Sequence, residues 1–143
     1  GYGFIAKLED LFTRQKAGKA VLTLDERETA LPPVRIAHDW LIAPESRIVL
    51  ASANKRLLAF AISEMKIMAK GRGLQLIKLS DGDTLALAAA LRSEHYTLHI
   101  IGKRGAIHQE TLRIADIAGK RAGKGKLLDI SGSLKAIEAR EAA

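Results

Sequence analysis

The 143-residue sequence contains no cysteine, and aromatic residues make up only 4% of it. The lack of cysteine excludes disulfides, thiolate metal sites and a cysteine nucleophile. The low aromatic content argues against base stacking, and so against a platform for single strands or RNA. No apolar run reaches the roughly 18 residues of a membrane helix, and the start, Gly1–Phe4, lacks the basic and apolar regions of a signal peptide. We therefore expect a soluble, cytoplasmic protein that does not insert into membranes.

Acidic residues are in the minority: 16 Asp and Glu stand against 23 Lys and Arg, which gives a formal net charge of +7. Such a balance favours a polyanionic partner, either nucleic acid or an anionic membrane surface. Ten of the basic residues lie in three stretches that contain glycine and no acid, 14–19, 66–72 and 120–126. A glycine beside Lys or Arg lets backbone N–H groups and cations approach a phosphate together.

These basic stretches belong to a repeat. In each copy an acid and an apolar residue come eight or nine positions before a glycine, and an apolar run follows that glycine; the glycines are Gly18, Gly73 and Gly125. A period of about fifty residues is that of a four-stranded propeller-type blade, which needs neighbouring blades to bury its faces.

Short strands are predicted within the repeats. Segments 47–51 and 96–101 are β-branched or aromatic and end in turn residues. Segment 84–91 contains strong helix formers, but the repeat favours a strand there, paired with 96–101. Two turn-forming pairs separate successive repeats: Pro32-Pro33 lies between the first and second, and Asp81-Gly82 between the second and third.

The sequence thus predicts an all-β fold, a partial array of propeller-like blades of about four strands each. The approximate repeats are 1–33, 34–82 and 83–143. Helical turns are expected in three equivalent segments, Leu8–Leu11, Ile62–Met65 and Leu112–Ile117. The first repeat has no counterpart of the 47–51 strand, so two blades should be nearly whole and one truncated. We expect the chain to be a fragment of a longer protein.

A set of distinctive segments follows in order: Gly1–Leu11, Arg14–Ala20, Val21–Leu24, Leu31–Pro33, Lys70–Gly73 and Ile101–Arg104. This ordered set resembles the C-terminal domain of the A subunit of bacterial DNA topoisomerase IV, over essentially the whole chain. The resemblance implies the β-pinwheel fold shared with gyrase A. It also implies a basic rim that binds and bends duplex DNA, presenting the transported segment for strand passage.

For the parent protein, the resemblance implies an ATP-dependent type II topoisomerase that decatenates and relaxes DNA near the nucleoid, in a heterotetramer with the B subunit of topoisomerase IV. ATP and Mg²⁺ would be used on other domains, and no cofactor is expected in this chain. The family's catalytic tyrosine lies upstream of such a domain. Neither Tyr2 nor Tyr96 has a matching context, so we expect this chain to be non-catalytic.

Gyrase A carries a wrapping motif of the form Q-R-R-G-G-K-G in an early blade. The nearest match is 119–125, which lacks the glutamine and lies in the last repeat. This departure favours topoisomerase IV, with the gyrase A wrapping domain as the alternative.

The predicted DNA-binding residues are the cations of the glycine-rich loops and of two basic turns: Arg14, Lys16, Lys19, Lys55, Arg56, Lys70, Arg72, Lys103, Arg104, Lys120, Arg121, Lys124 and Lys126. Lys7 and Lys78 could equally be charges on strand faces. The rivals are a basic β module that binds an acidic protein or lipid surface, and a small enzyme. His95 and His99 have metal-like spacing but no third ligand nearby, so no metal site is expected. Trp40 is expected in the core or between blades.

Overall fold

The computed structural model describes residues 1–11, 20–102, 104–128 and 132–140, with only the backbone of Ala139 and Arg140. The strands in this part are β1 (Tyr2–Gly3), β2 (Arg47–Ser52), β3 (Arg56–Ala61), β4 (Leu74–Gln75), β5 (Leu85–Leu91), β6 (His95–Ile101), β7 (Ile107–Arg113), β8 (Lys126–Leu127) and β9 (Ser133–Arg140). A short helix, α1, spans His38–Ile42, and 3-10 turns span Leu8–Leu11, Ile62–Glu64 and Ile114–Asp116. The predicted all-β class is confirmed, and the three helical turns lie where the repeat placed them.

The strands form antiparallel sheets. The largest has the order β5-β2-β3-β8, a second has the order β7-β6-β9, and β1 pairs with β4. In the largest sheet, Leu50 of β2 lies opposite Leu58 of β3 on one side and Ala88 of β5 on the other.

Two hydrophobic clusters lie on the two faces of the β2–β3 hairpin. Val49 and Ala59 point into one cluster, which also holds Tyr96 and Leu98 of β6 and so joins the two larger sheets. The residues in between point the other way: Ile48, Leu50, Leu58 and Phe60 pack with Ile62, Leu76 and Ile77. Because both faces are covered, these strands are apolar at nearly every position instead of alternating.

Segment 85–91 is a strand, as the repeat predicted, but its predicted partner was wrong. β5 pairs with β2, whereas β6 pairs with β7 and β9. The chain crosses between sheets at Arg92, whose guanidinium is held by Glu45 at 2.7 Å and Asp39 at 3.2 Å. β5 and β6 therefore face each other across the first cluster instead of forming a hairpin.

Trp40 lies in α1 and belongs to neither cluster. Its half-buried ring has the Arg92 guanidinium 5.8 Å from its centroid. This short helix was not predicted, because Ala37 provides no side-chain cap and the helix has only five residues.

Two seams join segments that are far apart in the chain. At the first seam, β1 pairs with β4, and Ile5 exchanges backbone hydrogen bonds with Lys66 and Met68 at 2.9 and 2.8 Å. At the second seam, β3 pairs with β8, and Ala59 exchanges the equivalent bonds with Ile117 and Gly119 at 2.9 and 2.8 Å. At each seam, a strand of one proposed repeat is thus paired with a segment of the next repeat.

A further pair of bonds recurs on both seams. Gly71 donates its N–H to the carbonyl of Val21 and accepts from the N–H of Thr23. At the second seam, Ala122 donates to Leu76, and the N–H of Lys78 donates to the carbonyl of Gly123 at 2.8 Å. A closely similar backbone construction therefore appears twice, although Gly71 makes both bonds at the first seam and Ala122 and Gly123 share them at the second. The proposed repeat boundaries stay a prediction.

Candidate nucleic-acid interface

The predicted DNA-binding cations fall into several places. Arg14, Lys16, Lys19 and Lys103 lie outside the described residues. The second seam brings together Lys55 and Arg56 from the β2–β3 turn with Lys120, Lys124 and Lys126 from the basic loop 120–126. Lys70 is exposed beside the first seam, and Arg104 is exposed in the turn between β6 and β7.

Gly119 and Gly125, before and near the end of the basic loop, both lie close to β3. Gly125 has φ +76°, and a Cβ there would lie 2.8 Å from the carbonyl oxygen of Leu57. A Cβ on Gly119 would lie 2.8 Å from Cδ1 of Leu58. Glycine at these positions lets the loop lie directly against β3, so the lysines between them are held on a fixed backbone.

The β2–β3 turn is held by hydrogen bonds to two buried side chains, those of Asp83 and Ser52. Oδ1 of the buried Asp83 accepts the N–H of Asn54 at 3.0 Å and its neighbour Thr84 at 2.8 Å, and Oγ of Ser52 accepts the N–H of Arg56 at 3.2 Å. Lys55 takes a left-handed conformation with φ 67°. The carboxylate thus fixes the turn that carries Lys55 and Arg56.

A cleft of about 340 Å³ opens where the second seam meets the chain after β4. It is lined by Arg56, Lys78 and Lys124 together with Leu79, Ser80 and Asp81. Lys78 and Lys124 are exposed, and none of the three cations forms an ion pair with an acid in the described parts of the chain. Three cations from three separate segments therefore face one solvent-filled space.

Arg72 lies at the first seam in a different electrostatic setting. Its guanidinium pairs with Glu28 and lies 3.5 Å from Asp25, and its Cζ is 4.4 Å from the ring centroid of Tyr2. The hydrogen bond from Arg72 is the main reason why the pKa of Glu28 is lowered, and the same bond raises the pKa of Arg72. This predicted DNA contact is engaged with the protein itself.

Arg121 also points into the protein. Its Nη1 donates to the carbonyl of Gln75 at 2.7 Å, and its backbone N–H donates to Oε1 of Glu64 at 3.1 Å. It fastens the basic loop to the 3-10 turn at Ile62–Glu64 and to β4. Glu64 is therefore structural, because its carboxylate accepts a backbone hydrogen bond from this loop.

Lys78 was not among the predicted DNA contacts. The signal for it was positional: it follows Gly73 by five residues, as Thr23 follows Gly18. Counting alone could not show that this position borders the basic loop, because that depends on the bond between Lys78 and Gly123.

The described residues offer no group of three or more His, Asp or Glu side chains placed to hold a metal ion. Tyr96 is fully buried, and burial raises its pKa to about 12. Within the same residues there is no helix with the length and apolarity needed to cross a membrane.

Several known proteins similar to this chain are A subunits of DNA topoisomerase 4. No protein-family model matches it. It is 49% identical over 135 residues, or 94% of the chain, to the A subunit of DNA topoisomerase 4 from Neisseria gonorrhoeae. The A subunits of the same name from Haemophilus influenzae and Escherichia coli K12 are 32% and 31% identical over 88% and 90% of the chain. The chain spans under a fifth of these relatives: 18%, 16% and 17% of their lengths.

Solved structures show the same likeness. The C-terminal domain of E. coli ParC superposes with a TM-score of 0.79 and 26% identity, over 96% of this chain and 56% of that one. A C-terminal domain of DNA topoisomerase IV shares the fold over 62% of this chain and 29% of that one, with a TM-score of 0.50 and 20% identity. The β-pinwheel architecture expected from the sequence is thereby confirmed.

Proposed function

The chain belongs to the family of the C-terminal domain of the DNA topoisomerase 4 A subunit, and on this premise we propose that it binds duplex DNA without sequence preference and bends it. The second seam carries this proposal. There, Arg56, Lys78 and Lys124 line one cleft, and Lys120 and Lys126 lie on the same loop as Lys124.

The chemistry of these side chains suits a DNA backbone. Ammonium and guanidinium groups neutralise phosphates and release counterions, which supplies affinity that does not depend on base sequence. Bending a duplex of 20–30 bp by 40–90° costs of order 1–6 kcal/mol, which several phosphate contacts spread along a rigid edge can offset. The bonds from the basic loop to β3, β4 and Glu64 provide that rigidity.

For the longer protein we propose the role that the family implies. It would be a type II topoisomerase that passes one duplex through another near the nucleoid in the cytoplasm, in a heterotetramer with the B subunit of topoisomerase IV. This domain would present the transported segment, and its own residues would perform no bond breaking. ATP and Mg²⁺ would be held by other domains, as the family resemblance implies.

The alternatives have less support. The three relatives are topoisomerase 4 proteins, not gyrases, and Gly125 of the gyrase-like segment 119–125 packs against the backbone of Leu57. A basic module for acidic proteins would use the same lysines, so it must be separated by experiment.

Titrating the chain with a fluorescent 30-bp duplex at several salt concentrations tests the proposal. If six to ten phosphates are contacted, affinity should fall by roughly 10³–10⁵ between 50 and 200 mM salt. Energy transfer between dyes on the two duplex ends should rise on binding, because bending brings the ends closer. An affinity that hardly varies with salt, together with displacement of the duplex by polyglutamate at equal charge, would favour the acidic-protein rival.

A further inference from the structure

The two seams place different side chains at the same backbone positions. In the β1–β4 and β3–β8 pairs, Tyr2 and Arg56 occupy equivalent places. The recurring hydrogen bonds to the basic segments make Thr23 the counterpart of Lys78. Two residues before the closing strands, β4 and β8, lie Arg72 and Lys124.

The electrostatic outcome at the two seams is opposite. At the first seam, one cation, Arg72, stacks over Tyr2 and is neutralised by Asp25 and Glu28. The second seam has three cations around its cleft and one carboxylate, Asp81, with no ion pair formed among them. Arg72 is thus neutralised by acids of its own seam, whereas the cleft at the second seam keeps an excess of positive charge open to solvent.

We propose that the cleft lined by Arg56, Lys78 and Lys124 is a single subsite for a phosphodiester of duplex DNA, and that Arg72 at the first seam is a structural lock without a DNA contact. This proposal rests on the function proposed above and specifies where a phosphate is seated. Lys78 and the hydroxyl of Ser80 join the binding surface.

The cleft is built to hold an oxyanion. A guanidinium and two ammonium groups donate charge-assisted hydrogen bonds to phosphate oxygens, and a serine hydroxyl can donate another. The backbone beneath them is fixed, because Lys78 is bonded to Gly123, and the residue after Lys124 is packed against Leu57. Fixed donors lose little freedom when the phosphate arrives.

Salt-dependent binding of the variants Lys78→Gln, Lys124→Gln and their double tests the shared site. Removing one phosphate contact lowers the slope of log K against log salt by about 0.9, equivalent to about eightfold weaker binding at 0.1 M salt relative to a 1 M reference. If Arg56 and both lysines serve one phosphate, the double variant should lose no more than about 0.9 in slope. Two independent contacts would lose about 1.8, and that result would overturn the single subsite.

Two further variants serve as controls. Lys135→Gln removes an exposed lysine of β9 in the other large sheet and should leave the slope unchanged. Arg72→Gln should lower the melting temperature but keep the slope of the wild type. A reduced slope in Arg72→Gln would contradict the structural role of that residue.

Inorganic phosphate separates a DNA contact from a site for the free anion. For a phosphodiester subsite, millimolar phosphate should shift the amide signals of Lys78 and Gly123 only weakly, and the double variant should bind DNA less tightly. Saturable phosphate binding, with DNA affinity unchanged in the double variant, would show a free-phosphate site instead. If the wild type failed to bind duplex at 50 mM salt, the proposed function itself would fall, and this inference with it.

Discussion

Replacing Gly125 with alanine should open the second seam. Gly125 has φ +76°, where an L-residue costs about 1–2 kcal/mol. The new Cβ would lie 2.8 Å from the carbonyl oxygen of Leu57 and 3.2 Å from its carbon. Backbone atoms cannot yield as a flexible side chain can, so β8 must move away from β3. The Arg56–Leu127 and Leu57–Lys126 pairing would weaken, at about 0.5–1.5 kcal/mol for each hydrogen bond lost.

The expected loss in unfolding free energy for Gly125→Ala is therefore about 2–4 kcal/mol, from the conformational cost and the lost bonds together. Gly82→Ala is the matched control, because Gly82 has φ +79° and no atom within 4 Å of the position of a Cβ. It should lose only the conformational part, about 1–2 kcal/mol. Urea unfolding followed by circular dichroism measures both variants. Equal losses would refute the claim that close packing against Leu57 requires this glycine.

Two further predictions concern titrating groups. The pKa of Glu28 is lowered chiefly by the hydrogen bond from Arg72, so the pair stabilises the fold above pH 4.5 and loses that effect as the pH falls below it. The difference in melting temperature between wild type and Arg72→Gln should therefore shrink from pH 7 to pH 3, and a constant difference would contradict the pairing. The pKa of Tyr96 is raised to about 12, mainly by burial, so its contribution to stability is full below pH 10 and is lost as the pH rises towards 12. Tyr96→Phe should lose less stability than the wild type over that interval in urea unfolding, and an identical loss would exclude Tyr96 as its cause.

The sequence allowed three strands to be located, at 47–51, 84–91 and 96–101, but not the partner of the second of them. The period predicted a strand at 84–91 against local helix propensity, and the structure has one at Leu85–Leu91. There Leu85, Ala88 and Ala90 pack against one cluster while Leu87 and Ala89 pack against the other. A period carries no information on which strand lies alongside. β5 pairs with β2 and not with β6 because the chain crosses between sheets at Arg92. Ion pairs of Arg92 with Asp39 and Glu45, some fifty positions earlier, stabilise this crossing.

Basic residues cannot be told apart by sequence pattern alone, but in the structure they differ in whether an acidic side chain lies beside them. Arg72 and Lys124 occupy equivalent places beside glycine, yet only Arg72 meets Asp25 and Glu28. Those acids lie in a stretch that no feature of the repeat singled out. Likewise, Lys78 resembled any strand-face lysine until the bond from its N–H to Gly123 placed it beside the basic loop. Charge clustering therefore identifies candidate cations, and tertiary contacts decide which of them are engaged by the protein itself.

The seams also set an order of events during protein synthesis. β3 leaves the ribosome well before β8, the strand that covers its outer edge. At about 5–20 residues per second, several seconds pass before Leu127 exists to pair with Arg56. Until then the nascent chain presents an apolar hairpin whose β3 edge is unpaired and open to non-native strands. A pause in translation between Ala61 and Lys126 would lengthen that exposure and so favour aggregation.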